Sequence, residues 1–203
     1  MILKADNISF SYNINKQILK DVSLSINSNE VIGLMGDSGS GKSTLCKIIS
    51  DHISKYSGEI TIDGEKISNK GFYPIQLIFQ HPEKTMNPKW KMEKVLNESW
   101  KPSSDLKNTF GIKDNWLNRW PNELSGGELQ RFSILRALNP KTKFIIADEI
   151  STMLDAVTQV QIWKSLINYC KVNNIGILAV SHDEDLLEVI CDDIIYFDEI
   201  NNL

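Results

Sequence analysis

The chain has 203 residues with 22 Lys+Arg against 26 Asp+Glu, a formal net charge of −4, so it lacks the basic excess of a sequence-independent nucleic-acid binder. Its three cysteines, Cys46, Cys170 and Cys191, show neither metal-ligand nor CxxC spacing, which argues against a zinc or disulfide scaffold and suits a reducing cytosol. No apolar run approaches the roughly 20 residues needed to span a bilayer, and the opening MILKADNISF has no basic flank or apolar centre of a signal peptide; work at a membrane must go through a partner. In chain order, alternating segments 2–10, 20–26 and 31–35 predict strands joined by the polar turns NINKQ and NSNE. Residues 42–51 predict a helix that buries Cys46 as a small apolar residue. SGEITIDGEKI, 57–67, predicts a hairpin turning at Asp63-Gly64, and IQLIF, 75–79, a short strand.

The character changes over residues 81–122, which hold Trp90, Trp100, Trp116, Trp120 and four prolines. This stretch reads as a separate, mainly helical lobe. The α/β pattern then returns: helix 126–138, strand 143–147, helix 156–172, strand 175–180, helix 183–190 and strand 193–197. Strands alternating with helices imply a largely parallel, buried sheet.

The most informative segment is GDSGSGKST, Gly36, Asp37, Ser38, Gly39, Ser40, Gly41, Lys42, Ser43 and Thr44, directly after the apolar strand VIGLM. Strand, glycine-rich loop and helix together make a phosphate site. The glycines let backbone N–H groups point inward, and the helix start adds unpaired N–H groups and the positive end of its dipole. Lys42 can reach β- and γ-phosphates, and the Ser43 hydroxyl can ligate Mg²⁺.

Four further features narrow the chemistry. KFIIADE, 143–149, ends an apolar strand in two acids; Asp148 suits Mg²⁺ held through water and Glu149 a general base that polarises water, unless the pair simply solvates the strand end. LSGGE, Leu124, Ser125, Gly126, Gly127 and Glu128, contains a capping box at Ser125-x-x-Glu128, and its two glycines bare N–H groups for a second phosphate surface. Gln80 ends a strand at the lobe border, where its amide can sense Mg²⁺ or water. His182, in SHD after IGILAV, stands where a histidine can contact a γ-phosphate.

In this order the motifs resemble the nucleotide-binding subunit of an ATP-binding-cassette (ABC) transporter over nearly the whole chain. They are the Walker A loop Gly36–Thr44, the Q-loop Gln80, the signature Leu124–Glu128, Walker B 144–149, the D-loop 151–155 with Asp155, and the switch His182. Tyr12 in FSYN is similar to the family's adenine-stacking aromatic, with Phe10 as the alternative. The resemblance implies an α/β P-loop NTPase fold of the ABC ATPase type: a mainly parallel sheet core with an antiparallel β subdomain (1–80 and 123–203) and an inserted helical lobe (81–122). It also implies ATP and Mg²⁺ as cofactors, with Ser43, Gln80 and Asp148 at the metal and Glu149, His182 and Gln80 catalytic. The partners implied are a second ATPase subunit, whose Ser125–Gly127 surface closes over the γ-phosphate, and transmembrane permease subunits. A solute-binding protein outside the cell and a place on the cytoplasmic face of the membrane follow; nucleic acid does not.

Two departures stand out: Ile150 where the family commonly has proline, and Met153 where the D-loop commonly has alanine. Neither removes a catalytic group. FQHPEKTMNPKW, 79–90, with Asn87-Pro88, is similar to oligopeptide and nickel importer ATPases, and the short C-terminus, without the tail of many peptide importers, tilts the expectation toward a metal or metal chelate. The lobe tryptophans either frame a groove for a permease helix or form the lobe's own core. A GTPase would need Asn-Lys-x-Asp, which neither Asn15-Lys16 nor Asn69-Lys70 continues into. An ABC-type ATPase of DNA repair or translation would usually bring a coiled-coil insertion or a second cassette.

Overall fold

The computed structural model describes residues 1–13, 16–68, 70–152 and 154–203. Two sheets organise it. β1 (Ile2–Asn13), β2 (Lys16–Asn27), β4 (Ser57–Ile62) and β5 (Glu65–Lys66) form an antiparallel sheet in the order β2-β1-β4-β5. β3 (Val31–Met35), β6 (Ile75–Ile78), β7 (Phe144–Asp148), β8 (Gly176–Ser181) and β9 (Asp193–Tyr196) form a parallel sheet in the order β6-β7-β8-β3-β9.

The parallel strands are apolar throughout because both faces are covered, and period-2 alternation divides their side chains. Phe144, Ile146, Leu178 and Val180 point toward the antiparallel sheet and the helix α1 (Lys42–Ile49), where Leu45, Cys46, Ile48 and Ile49 are all fully buried. Ile145, Ala147, Ile177 and Ala179 face the opposite way, toward α5 (Gly126–Ala137) and α6 (Ala156–Val172).

Residues 81–122 form regular structure only in short helical pieces: α2 (Met92–Leu96), α3 (Ser104–Thr109) and α4 (Asp114–Leu117), besides 3₁₀ turns at Pro82–Thr85 and Pro121–Glu123. Prolines at 82, 88, 102 and 121 keep these helices short, since proline lacks the N–H and fixes φ. Their apolar residues do not close on themselves. Met92, Val95, Leu96, Phe110 and Trp116 share one core with Leu129, Phe132 and Leu135 of α5 and Trp163 of α6. Polar ties cross the same seam: Trp100 Nε1 donates to the Leu135 carbonyl at 3.2 Å, and Arg131 Nη1 donates to that of Phe110 at 3.0 Å. The lobe tryptophans therefore divide. Trp116 is buried, while Trp120 is 43% exposed beneath the Lys91 ammonium at 5.3 Å.

Helices α7 (Glu184–Ile190) and α8 (Phe197–Ile200) complete the chain. Two expected boundaries shift. β1 runs past residue 10 to Asn13 and β2 begins at Lys16, ahead of residue 20, because the ladder continues toward the hairpin tip through irregular register that breaks the sequence alternation. The final strand stops at Tyr196, where Phe197 turns into α8 and buries its ring.

Phe132 is fully buried, with its ring centroid 6.5 Å from that of Trp116. Phe132→Ala is expected to lower stability by about 3–5 kcal/mol, seen as a lower urea midpoint in a single transition followed by tryptophan fluorescence. Two separate transitions would mean that lobe and sheet do not share this core.

Candidate functional site

The parallel register brings four strand ends to one edge. Met35 pairs with Ser181, Asp148 with Val180, and Ile78 with Ala147. The residues that follow these ends, Gly36, Gln80, Glu149 and His182, accordingly crowd together at the C-terminal edge, where open α/β sheets place ligands.

The glycine loop leaves β3 and enters α1 without a side-chain cap: Gly41 is the N-cap at φ 119. A side chain at Gly41 would meet Ile18 at 3.1 Å as well as backbone strain. The helix start thus keeps its N–H groups for an anion. Lys42, 4% exposed, folds back so that Nζ donates to the carbonyls of Gly36 at 2.6 Å and Asp37 at 2.7 Å. The Ser40 Oγ atom is buried with no hydrogen-bond partner among the described residues. An orphaned hydroxyl beside uncapped N–H groups is what a phosphate cradle leaves open. The cleft beside this loop measures about 450 Å³ and is bordered by Tyr12, Lys16, Ile18, Gln80 and Glu149. Tyr12 is 57% exposed; its ring meets Phe10 edge-on at 4.7 Å, and its hydroxyl lies 3.3 Å from Thr44 Oγ1.

At the foot of the cleft, Ser43 Oγ donates to Asp148 Oδ1 at 3.1 Å. Burial raises the Asp148 carboxyl above the usual carboxylate range, against the opposing Ser43 hydrogen bond, with the neighbouring Glu149 charge adding to the rise. Two hard oxygens so close suit Mg²⁺, which is held by few protein oxygens and completed by phosphate and water. Among the described residues, no larger group of His, Cys, Asp or Glu could hold a metal.

Glu149 occupies the centre. It sits one residue past β7 at φ 48, a left-handed conformation that costs a non-glycine residue about 1–3 kcal/mol. Its N–H continues the ladder to the Val180 carbonyl at 3.0 Å, while the side chain is gripped from both sides. Gln80 Nε2 donates to Oε2 at 3.0 Å, and His182 Nδ1 lies 3.4 Å from Oε1. Thr152 adds a bond to the Glu149 carbonyl at 3.1 Å, and Ser151 Oγ accepts from Trp163 Nε1 at 3.2 Å. Sequence reasoning placed Ser151 and Thr152 in the D-loop 151–155 without assigning them these bonds, and it missed Trp163, because a tryptophan inside a helix carries no motif. Ile150 is 3% exposed in the core, so the residue replacing proline fills an apolar position. Met153 lies outside the described residues.

The structure does not bring residues 124–128 to this cleft. Ser125 caps α5 through the expected box: its N–H donates to Glu128 Oε2 at 2.7 Å, and its Oγ accepts from the Glu128 N–H at 3.3 Å. Ser125 and Gly126 remain exposed, and Leu124 is buried below them. Asp155 also stands apart, capping α6 by accepting from the Thr158 N–H at 3.0 Å; that bond lowers its carboxyl below the ordinary range.

A lysine-bearing glycine loop beside an Asp–Glu strand end on a parallel sheet defines a P-loop nucleoside triphosphatase. Residues 19–152 match the family described as ABC transporter, and the chain belongs to that family as an ATP-binding, ATP-hydrolysing subunit. It is 30% identical over 204 residues to "Nickel import system ATP-binding protein NikE" of Staphylococcus aureus (strain bovine RF122 / ET3-1), covering 92% of this chain and 82% of that protein. It also resembles the ATP-binding cassette MJ0796, solved in a dimeric post-hydrolysis state bound to ADP and Pi: TM-score 0.80, 27% identity, 96% of this chain and 93% of that one. The structure of cbiO1 from Clostridium perfringens, part of the ABC transporter complex cbiONQ, gives a TM-score of 0.78 at 26% identity over 96% of this chain and 83% of that one. Among the described residues, no helix is long and apolar enough to cross a membrane.

Lys42→Ala removes the ammonium and is expected to weaken ATP binding by at least roughly tenfold, as loss of a charge-assisted contact of about 1.5–3 kcal/mol implies. A fluorescent ATP analogue titrated into both proteins checks this; equal affinity would contradict the loop's role.

Proposed function

We propose that this chain hydrolyses ATP to power a membrane importer, with nickel or a metal chelate as the favoured cargo and an oligopeptide as the other. The observation that supports this most is the convergence of Lys42, the Ser43–Asp148 pair and a Glu149 carboxylate placed between Gln80 and His182. The similarity to a nickel-import ATP-binding protein supports the cargo.

On this reading the Gly36–Thr44 loop and Lys42 bind the triphosphate, and Tyr12 offers a ring face to the adenine. Ser43 and Asp148, with Gln80 alongside, would hold Mg²⁺, which when bound neutralises charge on the phosphate oxygens. Glu149 accepts a proton from the attacking water. Its carboxylate is aimed by Gln80, and His182 donates toward the γ-phosphate as negative charge shifts in the transition state. The single chain leaves the outer side of the cleft open. The Ser125–Gly127 segment of a second subunit, identical or related, closes it, and Asp155 couples the two sites. ATP then favours the closed pair and ADP the open one, a population shift that drives the permease. The assembly lies on the cytoplasmic face of the membrane, served by a solute-binding protein.

Two measurements test this. Asp148→Asn is expected to raise the Mg²⁺ concentration for half-maximal ATP turnover by roughly 10- to 100-fold; an unchanged Mg²⁺ profile would remove Asp148 from the metal. In cells, Lys42→Ala at the chromosomal locus should lower radioactive nickel accumulation and leave uptake of a labelled tripeptide intact. The reverse pattern would transfer the cargo to peptides.

A further inference from the structure

A second cavity, of about 400 Å³, lies against the nucleotide cleft and shares Ser43 and Gln80 with it. Asp148 forms part of its wall, and its remaining charged lining is Lys47 and Lys84; the ring of His81 also lines it, with Nδ1 3.3 Å from Glu83 Oε1. Lys47 is four residues beyond Ser43 on α1, so both project from one helix face. Lys84 and His81 come from the 3₁₀ turn that follows Gln80 and its N-cap. Among the described residues, neither lysine takes part in an ion pair. Two unpaired ammonium groups around one cavity set up a field that attracts anions.

The partition between the two spaces is thin. Gln80 holds its place through Nε2, which donates to Glu149 Oε2 at 3.0 Å and reaches Thr152 Oγ1 at 3.5 Å. Gln80 and Ser43 line both spaces, so the Gln80 amide stands between the cavity and the part of the cleft that Glu149 borders. Resting on the reading of the cleft as an ATP hydrolysis site, we propose that this cavity receives the inorganic phosphate product and is its way out. At the moment of cleavage, ADP fills the cleft toward Tyr12 and a second subunit covers the front. Gln80 is then the movable wall, and Lys47, Lys84 and His81 lie behind it. Phosphate is doubly anionic in large part near neutral pH, so transfer past Gln80 moves it away from Glu149 and toward the Lys47 and Lys84 ammonium groups, which outnumber the Asp148 carboxylate in that wall. Among the described residues, none of these three side chains bonds to Glu149 or His182, and Lys47 acts on Asp148 only through its charge.

The test uses inorganic phosphate and the full chain. In the Lys42→Ala background, which weakens the glycine loop, phosphorus NMR titration should still detect phosphate binding, and adding Lys47→Gln and Lys84→Gln should weaken it by roughly tenfold. Both lysines reach solvent, so the glutamines fit without burying a polar group, and circular dichroism verifies the fold. With the wild-type loop restored, the double glutamine variant should cleave ATP at the parental rate in acid-quench experiments. It should release phosphate more slowly to a fluorescent phosphate-binding sensor. Unchanged phosphate affinity, or release that keeps pace with cleavage, would overturn the proposal. So would a variant in which cleavage itself slows as much as release, since the lysines would then act on the chemistry. A parent chain that cleaves no ATP would defeat the hydrolysis reading instead, and the exit route that rests on it, while the titration alone would still decide whether the cavity takes phosphate.

Discussion

The Glu149 carboxylate can be aimed only because three adjacent parallel strands end in register. Gln80 follows β6, Glu149 follows β7 and His182 follows β8, so each side chain starts from a neighbouring position on the same edge. The left-handed turn at Glu149 then swings its side chain between the other two rather than onward along the strand. Such a conformation persists when its surroundings over-determine it. Here the ladder bond to Val180, the Thr152 bond to the Glu149 carbonyl, the Ser151–Trp163 bond and the buried Ile150 do so.

The same register explains why the sheet is packed on both faces. A strand end is a reliable platform when the strand cannot slide, and burial of alternate residues on opposite faces fixes that register. Phe144 and Ile146 lock β7 against α1, which carries Lys42 and Ser43. Ile145 and Ala147 lock it against α5 and α6. The lobe shares this second core, so the Ser125–Gly127 segment at the start of α5 is packed through it onto the sheet that bears Glu149. The Gln80 segment runs between lobe and sheet, and the basic cavity opens beside it.

Much of this was legible in the sequence because backbone geometry dictated it. The phosphate loop was readable from glycine spacing after an apolar strand. α6 was readable end to end, since its observed bounds, Ala156–Val172, are those expected from the returning α/β pattern. Gln80, Glu149 and His182 could be singled out individually, but not the distances between them, which depend on strand order in a sheet assembled from remote segments. The positive φ of Glu149 carries no signal, since glutamate is not a residue that marks such turns. The lobe's core was hidden for a related reason: its apolar residues are scattered among prolines with no helical period, and they find partners only on α5 and α6. No sequence pattern links Lys47 with His81 and Lys84; only the fold sets them around one cavity.

On the proposed mechanism, the carboxylate between Gln80 and His182 removes the proton from water. Glu149→Gln keeps the shape and the Gln80 neighbour but cannot accept that proton. ATP cleavage in a single turnover, measured with enzyme in excess and with nucleotide binding followed in the same samples, tests the claim most directly. The variant is expected to bind ATP as the parent does and to cleave it at least roughly 100-fold more slowly, within the range that general acid–base catalysis supplies. Cleavage at the parental rate with binding intact would contradict that mechanism.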